Sequence, residues 1–234
     1  MAFDITMTYA VGTAFMAIAT IVLLTAMANA SGRDRTLYAI LAGIPGIAAV
    51  AYAVMTFGIG TLMVNGDTIF VPRYIDWLLT TVLLVLYVGM VANADKSVLA
   101  KLVAADVGVI GFGMVATFTT PPVKYGAFAV ATVAFGALLY LLYGPVTAAS
   151  ESQPYRVTAL AKKLRNMIGV LWLIYPIAWM TGPAALDLMN TGTMAVVVMY
   201  LDVVSKVGFG LIALNGVQST AQAEQSETAA ELAA

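Results

Sequence analysis

Neither cysteine nor histidine occurs among the 234 residues. Without cysteine there are no disulfides, thiol nucleophiles or thiolate metal sites. Without histidine the commonest metal ligand and the usual general base near neutral pH are gone. Charge is scarce too: 10% of residues are charged against 62% hydrophobic, the net charge is −1 and the mean hydropathy is +0.94. Soluble domains carry about 25% charged residues, so this chain cannot coat a water-facing surface. Lipid is its natural solvent. Its near-zero charge argues against nucleic acid as a partner, no metal site is expected, and an enzyme is not expected. No basic segment or small-residue cleavage site precedes the first apolar run, so the first span itself should direct insertion.

A bilayer core about 30 Å thick needs about 20 apolar residues per helical span. Seven windows qualify, at roughly 4–29, 37–60, 72–93, 98–118, 122–145, 164–182 and 192–215. The expected fold is therefore all-α, a seven-helix transmembrane bundle. Turn chemistry separates the windows at Ser31-Gly32-Arg33-Asp34-Arg35, Asn93-Ala94-Asp95-Lys96, Thr120-Pro121-Pro122 and Gly182-Pro183. Asn65-Gly66, between Thr61–Val64 and Thr68–Val71, predicts a short β-hairpin linking spans two and three. Residues 1–217 form one domain on this reading. The Ala/Gln/Glu-rich segment 218–234 reads as a solvated, poorly ordered cytoplasmic tail.

Basic residues set the orientation. Arg33, Arg35, Lys96, Lys101, Arg156, Lys162, Lys163 and Arg165 belong to the first, third and fifth connections, and Lys124 alone to the other side. The expected protein is multi-pass in the cell membrane, N-terminus outside and C-terminus cytoplasmic.

Five ionisable residues fall inside spans: Arg73, Asp76, Asp106, Asp202 and Lys206. Each costs roughly 2.5–3.5 kcal/mol on insertion scales, so such residues default to a functional reading. Arg73 and Asp76 share one helix face at i, i+3, and Asp202 and Lys206 share another at i, i+4. The four can meet as a nearly neutral interior cluster. A static set of ion pairs is the blander alternative, but hydrophobic substitutes usually stabilise as well. Asp106 has no charged partner on its helix and reads as a protonated, hydrogen-bonded structural acid.

Aromatic residues flank these faces. Tyr74 and Trp77 adjoin Asp76, while Trp172, Tyr175 and Trp179 make one stripe on span six around Pro176. Rings about a central lysine describe a pocket for a flat, apolar ligand. A desolvated lysine readily becomes the free amine, which condenses with an aldehyde to a Schiff base. Protonated, that linkage needs a counterion, and Asp76 and Asp202 are available, with Arg73 keeping both acids ionised.

Three segments in order resemble the microbial (type I) rhodopsins. They are Arg73-Tyr74-Ile75-Asp76-Trp77-Leu78-Leu79-Thr80-Thr81, then Arg165-Asn166 with Leu171-Trp172, Tyr175-Pro176 and Trp179, then Tyr200 through Phe209 around Lys206. The likeness covers nearly the whole chain and includes Pro45 and Asp106. It implies retinal on Lys206, Asp76 as primary counterion and proton acceptor, Asp202 as second counterion and Arg73 in an outer hydrogen-bonded network. It also implies a pocket. Its lining would come from Tyr74, Trp77, Thr80, Thr81 and Leu84 on span three, and Val109 and Gly113 on span four. Phe128 and Phe135 on span five, Trp172, Tyr175 and Trp179 on span six, and Ser205 would complete it.

Departures from the family's pumps narrow the reading. The position eleven residues after the counterion, a carboxylate in proton pumps, is Tyr87, a poor donor at neutral pH. The two outer glutamates of pumps are replaced by Ala184 and Met194. Ser205 could bond Tyr175, as in sensory rhodopsin II, and would shift absorption to shorter wavelength. Tyr200 and Asn190 stand where that photoreceptor docks its transducer; a deep, lipid-facing tyrosine otherwise lacks a partner for its hydroxyl. Val82 replaces the usual proline after Thr80-Thr81, which points towards a less typical branch such as the middle rhodopsins. The leading expectation is a retinal-based light sensor of the sensory rhodopsin II or middle-rhodopsin type acting through a membrane-embedded transducer. Association into a homo-oligomer stays open. The alternative is an inefficient light-driven outward proton pump; a chloride pump is disfavoured by Asp76, and a non-photoactive transporter needs only the buried charges.

Overall fold

The computed structural model describes residues 4–28 and 30–219. Seven spans are built from α1 (Ile5–Ala28), α2 (Gly32–Thr56), α3 (Val71–Val91), α4 (Lys96–Phe118), α5 (Val123–Tyr143) with α6 (Pro145–Glu151), α7 (Tyr155–Trp172) with α8 (Ile174–Thr181), and α9 (Thr191–Val203). The seventh continues through a π-helical turn, Val204–Gly208, and an α-helical stretch at 209–219. Sequence neighbours pack side by side from α1 to α5, α9 closes against α1, and α7 packs against α3. That closure encloses an interior where α3, α7, α8 and the seventh span meet.

Between α2 and α3 lies the hairpin, β1 (Thr61–Val64) and β2 (Asp67–Phe70), with Val64 paired to Asp67. Asn65 and Gly66 have φ of +53° and +92°. A two-residue hairpin turn with positive φ at both positions matches the right-handed twist of its strands, and Asn-Gly is the pair that adopts it most easily. The turn is pinned to the end of the bundle by Asn65 Nδ2, which donates to Thr119 O at 3.3 Å. β2 runs directly into α3 with Pro72 in the first turn, where its missing N–H costs nothing.

Two boundaries differ from the sequence expectation. α2 begins at Gly32, so Arg33, Asp34 and Arg35 form its first turn rather than a loop. Arg33 Nη2 donates to Met90 O at 2.8 Å, tying that turn to the end of α3. The sixth span begins at Tyr155, well before 164, because Arg156, Lys162, Lys163 and Arg165 make the first half of α7 polar. That half extends beyond the apolar layer, so a hydropathy window sees only the second half. Among the described residues, six helices are long and apolar enough to cross a membrane; the sixth span escapes that count because it is polar at one end and broken at Leu173. Pro176 lacks the N–H that would continue the ladder. The tail expected at 218–234 lies, from residue 220, outside the described residues.

The apolar core gathers around α3, with side chains from α2, α5, α7 and the seventh span. Leu41, Leu84, Val88, Leu138, Leu164 and Phe209 are all fully enclosed. At about 1.5–3 kcal/mol per buried aliphatic side chain in water, such packing would dominate a soluble fold. In lipid, close contact and internal hydrogen bonding carry the association instead.

Candidate functional site

Lys206 occupies the middle of the π-helical turn and is 2% exposed. A π turn inserts one extra residue into the helix and is frequent at functional sites. The lysine Nζ donates a short hydrogen bond to Asp76 Oδ2, and Asp202 Oδ2 lies 3.7 Å away. Both acids are essentially sealed from solvent. Moving each ion out of water costs several kcal/mol, and only close pairing with further hydrogen bonds offsets it.

Those further bonds are unequally shared. Asp202 accepts from Tyr52 Oη at 2.7 Å, Tyr175 Oη at 2.7 Å and Trp77 Nε1 at 3.1 Å. Among the described residues Asp76 accepts, apart from the lysine, only from Thr80 Oγ1 at 3.2 Å, and that hydroxyl also donates to Asp76 O at 2.8 Å. Ser205 Oγ is 3.3 Å from Tyr175 Oη. Asp202 is held by three donors besides the lysine, whereas Asp76 retains free lone pairs.

Arg73 departs from the expected four-charge cluster. It makes no ion pair among the described residues. Its Nη2 donates to Tyr9 Oη at 2.8 Å, and its guanidinium stacks 5.7 Å from the Tyr9 ring and 5.6 Å from Phe70. One turn nearer the hairpin than Asp76, its long side chain reaches outward into that aromatic nest, so it acts on the acids through space. Asp106, fully buried, faces Thr81: Thr81 Oγ1 donates to Trp77 O at 2.6 Å and meets Asp106 Oδ2 at 2.7 Å. The one hydroxyl proton of Thr81 is shared between these two acceptors, and Asp106 Oδ1 has no partner among the described residues.

From Lys206 a predominantly apolar cavity of about 160 Å³ extends into the bundle. Its wall contains Tyr74, Trp77, Thr81 and Leu84 from α3, Val109 and Gly113 from α4, and Phe128 and Phe135 from α5. Trp172, Tyr175 and Trp179 from the sixth span and Ser205 and Asp202 beside the lysine complete the ring. Trp179 stacks on Phe128 with centroids 4.6 Å apart and planes at 13°. A Cβ built on Gly113 would meet no heavy atom within 4 Å, so the glycine leaves room in the cavity. An apolar, ring-walled space with one amine fits a flat, conjugated aldehyde. Thr80, expected in this wall, is absent from it because its hydroxyl folds back onto Asp76.

Tyr9, Tyr52 and Thr117 escaped the sequence reading. The signal for the two tyrosines was available: a phenol in the middle of an apolar span needs a partner for its hydroxyl. Tyr87, also fully enclosed, has a hydroxyl without a partner among the described residues and packs edge-on against Phe209 at 5.7 Å. Tyr200 is 65% exposed on the outside of the bundle. Asn190 is exposed and caps α9, accepting from Thr193 N at 2.9 Å.

A family model described as Bacteriorhodopsin-like protein matches residues 4–220. Sensory rhodopsin-2 of Haloarcula vallismortis is 45% identical over 181 residues, covering 77% of each chain. Sensory rhodopsin-2 of Natronomonas pharaonis is 38% identical over 202 residues, covering 86% of this chain and 84% of its own. Among solved structures, thermophilic rhodopsin from Rubrobacter xylanophilus superimposes with a TM-score of 0.88 at 32% identity, covering 92% of this chain and 96% of that one.

Proposed function

The chain belongs to the bacteriorhodopsin-like family, and we propose that it is a retinal-based light sensor of the sensory rhodopsin II type with Lys206 as the attachment point. The observation that carries this reading is a lysine amine enclosed between two carboxylates at a ring-walled cavity. Lys206 Nζ would hold retinal as an imine in the ring-walled cavity, where the bound group would supply light absorption, isomerisation and a mobile proton.

This chain's own groups do the rest. Asp76 takes the proton from the Lys206 nitrogen, because its carboxylate has spare acceptor capacity and already lies in hydrogen-bond contact. Thr80 fixes the Asp76 rotamer. Asp202, bound by three donors, is fixed beside the nitrogen and serves as the second counterion. The guanidinium of Arg73 biases the hairpin side of the site positive. Trp172, Tyr175 and Trp179 keep water from the amine and couple changes in cavity shape to the broken sixth span.

Tyr87 favours a sensor over a pump. Eleven residues beyond Asp76 on α3, it is buried in the apolar core against Phe209, and its phenol, without a partner among the described residues, is a poor proton donor. Return of the proton to Lys206 Nζ is therefore slow, which prolongs the signalling state. An outward proton pump would use the same Asp76, Asp202 and Arg73 but needs a carboxylate at that position.

The basic ends of α2, α4 and α7 face the cytoplasm in this reading, and the hairpin faces outside. Residues 1–217 make the retinal-binding domain and 218–234 a cytoplasmic tail. Exposed Tyr200 offers a hydroxyl to a two-span transducer in the bilayer, and Asn190 marks the outer end of the same helix. Flash photolysis with and without azide tests the sensor reading. Azide, a small proton carrier, accelerates recovery strongly if no internal donor serves Lys206. Fast, azide-independent recovery with sustained outward acidification would establish the pump instead.

A further inference from the structure

The end of the chromophore cavity nearest the hairpin is closed by two side chains that share one acceptor. Trp179 Nε1 donates to Thr117 Oγ1 at 3.0 Å, and Tyr74 Oη donates to the same oxygen at 2.8 Å. Thr117 Oγ1 in turn donates to Gly113 O at 3.1 Å. A hydroxyl offers one donor and two acceptor sites, so all three are occupied. Thr117 is 3% exposed and lies in the last turns of α4. Its hydroxyl is the joint between α3, α4 and α8.

Beyond this joint lies a second cavity of about 60 Å³, bounded by β2 and by Gly182, Pro183 and Ala184. Tyr74 and Trp179 line both cavities, and Thr117 lines only the outer one. The two rings are therefore part of the partition, and the threonine holds them from behind. Each ring is braced on its inner side: Trp179 stacks on Phe128, and Tyr74 meets Trp77 edge-on at 5.6 Å. Arg73 and Met194 also touch both spaces, but Arg73 is held by Tyr9 and the Met194 thioether is apolar. The polar pin of the wall is Thr117.

We propose that Thr117 is a positioning residue that holds Tyr74 and Trp179 as a closed wall between the chromophore site and the outer cavity. This rests on Lys206 carrying retinal. Its chemical consequence concerns access. With the wall closed, small polar nucleophiles entering beneath the hairpin do not reach the linkage at Lys206. Without the shared acceptor, two buried donors are left unsatisfied, and both turn towards water in the outer cavity.

The test uses full-length protein reconstituted with all-trans retinal and exposed to hydroxylamine in the dark. Hydroxylamine exchanges the imine for retinal oxime and returns the amine to Lys206, so the visible band bleaches. Thr117→Val, which keeps shape and loses the hydroxyl, bleaches about tenfold faster than wild type. Thr117→Ser, which keeps all three hydrogen bonds, bleaches at close to the wild-type rate. A second arm uses retinal-free protein and acrylamide quenching of the tryptophans, all three of which line the inner cavity. Quenching rises in Thr117→Val and not in Thr117→Ser. Wild-type rates in both arms for Thr117→Val, with unchanged circular dichroism, would overturn the proposal. A wild type that stays colourless would sink the retinal reading instead, and the quenching arm would still decide the role of Thr117.

Discussion

Asp202 precedes Lys206 by one helical turn, yet Asp76, from a different span, makes the closer contact with its amine. The reason lies in prior commitments. Tyr52, Trp77 and Tyr175 hold Asp202 in place, while Asp76 is steadied by Thr80 alone. Two carboxylates of the same chemistry thus take different roles through their surroundings.

Asp76→Asn should still bind retinal but absorb at longer wavelength, because the negative charge nearest the cation is lost. Light-driven proton transfer should disappear. Acidifying the wild type until Asp76 is protonated should reproduce the shift, and the variant should show no such titration. Asp202→Asn should retain transfer to Asp76 but be less stable, by about 3–5 kcal/mol, the cost of breaking a buried charge network. Spectra across pH and thermal bleaching of both variants check this.

Tyr87 carries a buried hydroxyl without a partner among the described residues. Tyr87→Phe should therefore raise stability by about 1 kcal/mol, leaving the absorption maximum and recovery rate unchanged. Tyr87→Asp should speed recovery and remove the azide effect. Denaturation midpoints and flash photolysis measure the two outcomes.

Gly12 lies beneath the ring that donates to Asp202. A Cβ there would come within 2.6 Å of Tyr52 Cε1 and 3.1 Å of Met199 Cγ. Gly12→Ala should cost about 1–3 kcal/mol through overpacking and displace the Tyr52 hydroxyl. A lowered bleaching temperature with a small shift of the band is the expected result. The double variant with Tyr52→Phe should lose little more than Gly12→Ala alone, in which the displaced ring has already given up its hydroxyl bond to Asp202.

Much of this was legible in the residues. Long apolar runs gave the spans, Asn65-Gly66 gave the hairpin, and charges in the wrong solvent marked the centre of the bundle. Contacts between spans were harder to read. The partners of Tyr9 and Tyr52 lie on other helices, and nothing in their local spacing names Arg73 or Asp202. The shared oxygen of Thr117 looks in sequence like any helical threonine bonded to its preceding turn. Arg73 was expected among the acids because i, i+3 spacing gives a common face, but spacing says nothing of how far a long side chain reaches along the helix axis. The start of α7 was misplaced for a simpler reason. A helix that emerges from the apolar layer keeps its backbone pattern and loses its hydropathy.

The visible spectrum of the Lys206→Ala protein tests the central claim most directly. Wild type and variant are expressed alike and supplied with all-trans retinal, with circular dichroism confirming equal helix content. A visible band that forms in the wild type, is lost on borohydride reduction in the light and never appears in Lys206→Ala is the predicted result. The same band in both proteins would contradict the account.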